Sequence, residues 1–259
     1  MIPKIIWTYW DTPEIPKYIQ DCINTWKIHC KNDWDINILN RETIKLFLDE
    51  NIDYPKNIFI DGPQHQSDMF GVALLNRYGG IWMDANIIMT SPIDFILEKD
   101  WFGYCDFYNK NPEVFLYATP KNKPVIQNIH DLFFKTFSIK QPSRKQILKE
   151  QYDITDDYFY PQRLIHYLMK NNAEIKNIII NNSLNQWGTI YALIVLLSKD
   201  YNITSKSEIF DTLITEESDI PDIVLNHPLI KLQGSSQQNE YNINKNSWWW
   251  KLTHTKSKL

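Results

Sequence analysis

Two acids in one stretch of the chain have types and spacing that can do chemistry. Asp68 comes directly after Ser67 in a segment with helical spacing, and Asp84 follows the apolar residues 81–83. Open α/β sheets bind ligands beyond the carboxyl ends of their strands. A carboxylate there can hold a divalent cation that in turn holds a diphosphate, and Asn86 can add an oxygen or order a metal-bound water. The alternative, which the Asp-x-Asn spacing alone favours, is an aspartate that caps a turn.

Hydrophobic spacing predicts the elements that position these acids. Ser67 is an N-cap candidate for a helix that ends at Gly79 and Gly80, because glycine adopts the left-handed conformation of a helix stop. Residues 81–83 are typical of a short buried strand, which presents Asp84 at its carboxyl end.

The rest of the pattern alternates strands with helices and favours an α/β fold with a parallel sheet. Strands are predicted at 2–9, 34–39, 87–89, 101–104, 114–118 and 175–180. Helices are predicted at 14–30, 41–48, 124–137 and 157–170. Residues 187–197 suit a buried helix or strand, and 205–241 suit loops and short elements. Asp156 and Asp157 are acids that could do chemistry, but an N-cap pair for the helix after them is the favoured interpretation.

Composition excludes several classes of protein. The chain has 259 residues, is 43% hydrophobic and carries a net charge of −4, which excludes disorder and a nucleic-acid partner. Three widely spaced cysteines exclude a disulfide scaffold and a cysteine zinc site. Without a signal-like or membrane-spanning apolar run, we expect a soluble, cytoplasmic protein. No linker divides the chain, so one domain over residues 1–259 is predicted.

The C-terminal segment 245–259 is a basic, tryptophan-rich tail. It holds four lysines, no acid and the run Trp248-Trp249-Trp250. Indoles beside lysines suit the interface of a membrane, which would give a peripheral contact at its inner face. The favoured alternative is that these tryptophans pack on the body of the protein.

Three stretches resemble a known family: residues 2–10, residues 66–85 with their Ser-Asp…Tyr-Gly-Gly-Ile-Trp-Met-Asp-Ala pattern, and residues 251–254. They are similar to glycosyltransferases of the DXD type, and most of all to capsular polysaccharide synthesis proteins, near glycosyltransferase family 32. The resemblance implies a type-A glycosyltransferase fold, Rossmann-like, with a mostly parallel sheet flanked by helices. It also implies a metal-dependent, retaining transferase that uses Mn²⁺ or Mg²⁺ and a nucleotide-sugar donor, with UDP-sugar favoured. The acceptor would be a glycan or lipid-linked saccharide in capsule or surface polysaccharide synthesis.

The resemblance also implies roles for particular residues. Asp84 would be the catalytic, donor and metal aspartate. The other donor-binding residues would be Trp7, Thr8 and Trp10 at the base and ribose, Asp68 at the ribose or sugar hydroxyls, and Lys251 at the diphosphate. Asn86 and His254 would be further metal ligands. His227 and Lys231 compete with Lys251 and His254 for the task of closing the site, and the sequence leaves that choice open.

Two departures from the family pattern affect these expectations. The pattern places an arginine at position 71, where this chain has Gly71, and Arg77 cannot replace it because it points elsewhere on a helix. Asn86 stands where a DXD motif ends in an acid, which predicts weaker metal binding. A non-catalytic nucleotide-sugar binder is therefore one alternative, and a toxin-like transferase that glycosylates a protein is another.

Overall fold

The computed structural model describes residues 1–30, 33–106, 111–155, 158–187, 189–203, 205–232 and 244–254. The strands are β1 (Ile5–Tyr9), β2 (Asp35–Leu39), β3 (Gly80–Met83), β4 (Ile87–Met89), β5 (Phe102–Asp106), β6 (Asn111–Thr119), β7 (Ser183–Asn185) and β8 (Leu229–Lys231). The helices are α1 (Lys17–His29), α2 (Pro63–Tyr78), α3 (Pro124–Phe137), α4 (Ser143–Tyr152), α5 (Tyr160–Asn171), α6 (Ala173–Asn181), α7 (Ala192–Asp200), α8 (Lys206–Thr215), α9 (Asp222–Leu225) and α10 (Trp248–His254). This content confirms the α/β class. The predicted cap at Asp156 and Asp157 lies outside the described residues.

Six strands form one sheet in the order β2-β1-β3-β6-β5-β7. β1 pairs in parallel with β2 and β3, so the predicted strand–helix–strand beginning does build a parallel sheet. β6 is antiparallel to both β3 and β5. The register places Trp82 of β3 between Trp7 of β1 and Tyr117 of β6.

The chain divides into two compact units. The first unit comprises Met1–Pro13, Asp35–Asp84 and Ile96–Leu184, and the second comprises Glu14–Trp34, Ala85–Phe95 and Asn185–Leu259. This division does not test the expectation of a single domain, which stays a prediction.

Helix α2 begins four residues before the predicted N-cap. Ser67 lies inside the helix, whose first residue is Pro63 and whose N-cap is Gly62. Proline is well suited to the first helical position, because its fixed φ matches the helix and its missing N–H would be unpaired there anyway. The predicted helix end is confirmed: Gly79 has φ 71° and Gly80 has φ 105°, which returns the chain at once into β3.

The expected strand at 175–180 is wrong, because these residues lie in helix α6. The Asn172 side chain accepts a hydrogen bond from the Ile175 backbone N–H at 3.1 Å and so caps the helix. Ile175 and Ile179, one turn apart, are the buried residues of the helix. The capped end and the helical spacing outweigh the β propensity of the isoleucine run.

Two other expectations on helices need correction. The helix expected at 41–48 is only a 3₁₀ turn over Thr43–Leu46. The region expected to be mostly loop contains α8, a ten-residue helix. Its N-terminus is a capping box, in which Ser205 and Glu208 each bond the other's backbone N–H.

The core of the first unit lies between the sheet and helices α2, α3 and α5. Phe70 of α2, Trp82 of β3 and Phe133 of α3 are all fully buried there. Burial of one such large apolar side chain contributes about 1.5–3 kcal/mol to folding. The core therefore fixes α2 against β3, the two elements that carry Asp68 and lead to Asp84.

In the second unit, α1 packs against β4, and β4 pairs antiparallel with β8. Helix α10 contains the tryptophan run of the tail. Trp248 and Trp249 are fully buried, and their indole N–H groups donate to the Ser218 carbonyl at 2.9 Å and to Asp21 Oδ2 at 3.3 Å. The packing alternative is thus confirmed for these two indoles, which a membrane contact would have to expose. Within the described ranges, no helix combines the length and apolar character needed to cross a membrane.

Candidate active site

Asp84 lies at the carboxyl end of β3, as predicted. Its backbone N–H donates to the Phe115 carbonyl at 2.8 Å, which extends the pairing of β3 with β6 to this residue. Its side chain is half-buried. Strand pairing thus holds the backbone that carries this carboxylate, while the side chain stays partly exposed.

Asp68 and Asp84, together called the acidic pair, both influence the pKa values of Tyr117 and Tyr158. Burial is the largest cause that raises the pKa of the Tyr117 phenol and of the Tyr158 phenol, and both acids raise these pKa values further. A carboxylate disfavours the phenolate because it repels a second negative charge. Asp68 and Asp84 therefore both lie within electrostatic range of Tyr117 and Tyr158, and the raised pKa values keep both phenols protonated.

The sequence prediction did not include the two tyrosines. Tyr117 lies within the predicted strand 114–118, and Tyr158 lies in the segment predicted as a helix that begins at residue 157. The one available signal was their aromatic type, which more often indicates core packing.

The three residues expected at the nucleotide base have different settings. Trp7 is buried, its indole N–H donates to the Gly79 carbonyl at 2.9 Å, and its ring packs on Phe47 and Tyr78. Stacking on a base would need Trp7 to leave these contacts. Thr8 is fully buried, whereas Trp10 is half-buried. Of the two indoles, that of Trp10 is the more accessible to a nucleotide.

Gly71 and Trp82 occupy the place where the resembled pattern has an arginine. A Cβ at Gly71 would lie 2.5 Å from Cδ2 and 2.7 Å from Cε2 of Trp82. The indole therefore fills the volume into which a side chain at position 71 would extend. The absence of an arginine at position 71 is thus linked to the position of the Trp82 ring, because the ring occupies the space that an arginine side chain would need.

We predict that Gly71→Ala lowers the free energy of unfolding by about 1–3 kcal/mol, the usual cost of overpacking a core. Trp82→Leu alone should also destabilise, because it leaves a cavity. The double variant should be clearly more stable than the sum of the two single effects, because the smaller side chain removes the clash. Urea denaturation of the four proteins measures this coupling, and additive effects would contradict it.

Asn86 lies in the second unit, where a lysine holds it. The Lys231 ammonium donates to Asn86 Oδ1, and Asn86 Nδ2 donates to the Leu232 carbonyl at 2.9 Å. Lys231 is itself buried. An ammonium group on Oδ1 competes with a metal ion for that oxygen, so the metal role expected of Asn86 would require Lys231 to move.

Lys251 and His254, the two candidate site residues of the Lys-Leu-Thr-His segment, each contact other residues of the second unit. Lys251 Nζ donates to the carbonyls of Glu217 and Ser218, each at 2.8 Å. The His254 ring stacks on Trp250 at 3.8 Å between centroids, and burial lowers the pKa of its imidazole. Of the two candidate lysines, Lys231 is the one that contacts the Asp-Ala-Asn motif, at Asn86.

The fit of a divalent cation follows from the donor atoms. Asp84 offers carboxylate oxygens, the hard ligands that Mg²⁺ and Mn²⁺ prefer. In the part of the chain that the structure describes, no three His, Cys, Asp or Glu side chains form a ligand cluster. A cation at Asp84 would have this carboxylate as its protein ligand.

Comparison with known proteins gives a consistent group of relatives. The sequence model of a family described as capsular polysaccharide synthesis protein matches residues 1–214. Inositol phosphoceramide mannosyltransferase 1 of Schizosaccharomyces pombe is 27% identical over 143 residues, which cover 51% of this chain and 43% of the relative. O-glycosyltransferase braB of Annulohypoxylon truncatum is 28% identical over 106 residues, which cover 36% of this chain and 25% of the relative. The aligned segment thus spans less than half the length of either curated relative.

Two solved structures are also similar. The apo-form glycosyltransferase GlyE of Streptococcus pneumoniae TIGR4 matches with a TM-score of 0.50 and 11% identity, over 97% of this chain and 60% of that chain. The PaToxG glycosyltransferase matches with a TM-score of 0.44 and 19% identity, over 68% of this chain and 73% of that chain. The likeness to GlyE confirms the predicted glycosyltransferase type of fold.

Proposed function

Because the chain belongs to the capsular polysaccharide synthesis protein family, we propose that it is a glycosyltransferase that takes a sugar from a nucleotide-sugar donor. The observation that carries the proposal is the acidic pair, with Asp84 directly after the carboxyl end of β3 and Asp68 on α2, on a glycosyltransferase type of fold. The acceptor is a glycan or a lipid-linked saccharide. A relative named as an inositol phosphoceramide mannosyltransferase supports an acceptor that contains lipid.

The acidic pair divides the work of binding the donor. Asp84 would hold Mn²⁺ or Mg²⁺, and the chemistry that such an ion would supply is neutralisation of charge on the leaving nucleoside diphosphate. Asp68 accepts hydrogen bonds from sugar or ribose hydroxyls and so orients the donor. UDP-sugars are the favoured donors, and the sugar is transferred with retention of its anomeric configuration.

Release of nucleoside diphosphate tests the proposal. The protein is incubated with UDP-glucose, UDP-galactose or GDP-mannose, with Mn²⁺ or with EDTA, and the product is measured by chromatography. We expect slow hydrolysis of one donor that stops when the metal is removed. Release that is unchanged by EDTA would contradict the metal dependence, and no release from any donor would contradict the enzyme.

A non-catalytic nucleotide-sugar binder is the second candidate. Gly71 favours it, because the arginine of the resembled pattern is replaced by the ring of Trp82, and so does Asn86 in place of an acid. Such a binder would show donor affinity without turnover, so measured turnover of any donor removes this candidate. A transferase that glycosylates a protein would instead place labelled sugar on polypeptide.

A further inference from the structure

The Tyr117 hydroxyl is a buried donor. The residue is 1% exposed, and its oxygen has no hydrogen-bond partner among the residues that the structure describes. Burial of an unpaired hydroxyl costs about 1–3 kcal/mol, which phenylalanine at the same position would avoid. A polar group left unpaired in a core is therefore a place to look for function.

Strand register places this hydroxyl-bearing side chain beside the acidic pair. Tyr117 of β6 is directly opposite Trp82 of β3, two residues before Asp84. Trp82 packs on Gly71 of α2, and Asp68 lies three residues earlier on the same helix, which is about one turn. The neighbours of Tyr117 thus belong to β3, which leads to Asp84, and to α2, which carries Asp68.

Electrostatics agree with this placement. After burial, Asp68 is the larger of the two charge effects that raise the pKa of Tyr117, and Asp84 is the smaller. Burial is the largest cause that raises the pKa of Tyr158 and of Tyr160, and Asp68 adds to it in both cases. The titratable groups around Asp68 are accordingly Tyr117 on β6, Tyr158 in the segment before α5 and Tyr160 at its start. Asp84 acts on Tyr117 and Tyr158 as well, and His65, one turn earlier on α2, packs on Tyr160.

We propose that Tyr117 is a positioning residue of the donor site, whose hydroxyl donates a hydrogen bond to the Asp68 carboxylate when the donor is bound. This bond holds Asp68 in the orientation that accepts the sugar or ribose hydroxyls, and it keeps the carboxylate ionised. The unpaired hydroxyl destabilises the donor-free protein. Donor binding removes this destabilisation, because the hydroxyl then has a hydrogen-bond partner. The inference rests on the proposed function, because it assigns Asp68 to the donor.

Tyr117→Phe tests the inference with donor hydrolysis and thermal unfolding. A hydrogen bond to a charged group is worth enough that kcat should fall about 10-fold or more. The melting temperature should stay the same or rise, because the variant loses only an unpaired group. Tyr104→Phe is the matched control: Tyr104 is buried in the same sheet, and burial alone raises its pKa.

The pH profile separates positioning from simple packing. A donated hydrogen bond favours the charged carboxylate and lowers its pKa, so its loss raises that pKa. The acid limb of kcat, which reports the donor-bound enzyme, should therefore move to higher pH in Tyr117→Phe. The acid limb of kcat/KM, which reports the free enzyme, should not move.

A double variant gives the decisive outcome. In an Asp68→Asn background, Tyr117→Phe should change kcat less than 2-fold, because its partner charge is already gone. An equal loss in both backgrounds would overturn the inference, and so would a lower melting temperature with an unshifted kcat profile. If the wild-type protein hydrolyses no donor, the proposed function fails. If it is active and Tyr117→Phe matches it, only the inference fails.

Discussion

Asp84→Asn is expected to lower the release of nucleoside diphosphate at least about 100-fold, the usual cost of removing a group that stabilises charge in the transition state. The substitution keeps the shape of the side chain and removes its charge. The Asp84 backbone bond to Phe115 is unaffected, so the melting temperature should change little. Initial rates at saturating donor and metal, together with a thermal melt, measure both effects.

Asp100→Asn is the matched control for this variant. Asp100 is exposed and pairs with Lys123 at 2.7 Å, and this pairing lowers its pKa. Its loss should leave the rate within about 2-fold, since a surface ion pair contributes little. An Asp84→Asn protein that keeps more than a fifth of the wild-type rate would contradict the role of Asp84.

Arg144→Met should have the largest effect on stability, a loss of about 3–5 kcal/mol in the free energy of unfolding. Arg144 is fully buried, and its guanidinium donates to both Asp61 oxygens at 2.8 Å. It also donates to the Ile139 carbonyl at 2.8 Å and the Phe137 carbonyl at 3.2 Å. Removal of the arginine leaves the Asp61 charge buried without its partner. Urea denaturation measures the loss.

Two further variants sharpen this result. Lys123→Met removes the exposed partner of Asp100 and should cost less than about 1 kcal/mol. Asp61→Asn combined with Arg144→Met should recover part of the loss, because no unpaired charge then remains. A single Arg144→Met protein within about 1 kcal/mol of wild type would show that the buried pair does not stabilise the first unit.

The beginning of the fold could be predicted from the sequence because its signals are local. The apolar spacing of α1, the alternation in β2 and the glycine stop of α2 each depend on neighbouring residues. The isoleucine run 175–180 was misassigned because its β propensity is also local. Its helical state depends on the Asn172 cap and on burial of Ile175 and Ile179.

The candidate site is likewise predictable only in part: its acids follow from the sequence, whereas its tyrosines do not. The sequence predicts Asp68 and Asp84 as site residues because they stand in a motif that spans one helix and one strand. Tyr117 joins them only through the antiparallel pairing of β6 with β3, about thirty residues further along the chain. Tyr158 joins them from the segment before α5. No sequence pattern encodes such proximity, because it is set by the order of strands in the sheet.

A thermal-shift panel is the most direct test of a nucleotide-sugar site at Asp84. UDP, GDP, CDP and ADP are each added with and without Mn²⁺ to the wild-type protein and to Asp84→Asn. A ligand at about 100 times its Kd stabilises the fold by about 2.7 kcal/mol, which a melt detects readily. We expect one nucleotide, UDP first, to raise the wild-type melting temperature only with Mn²⁺, and Asp84→Asn to lose the shift. A wild-type protein that no nucleotide stabilises, or a shift that survives in Asp84→Asn, would contradict the account.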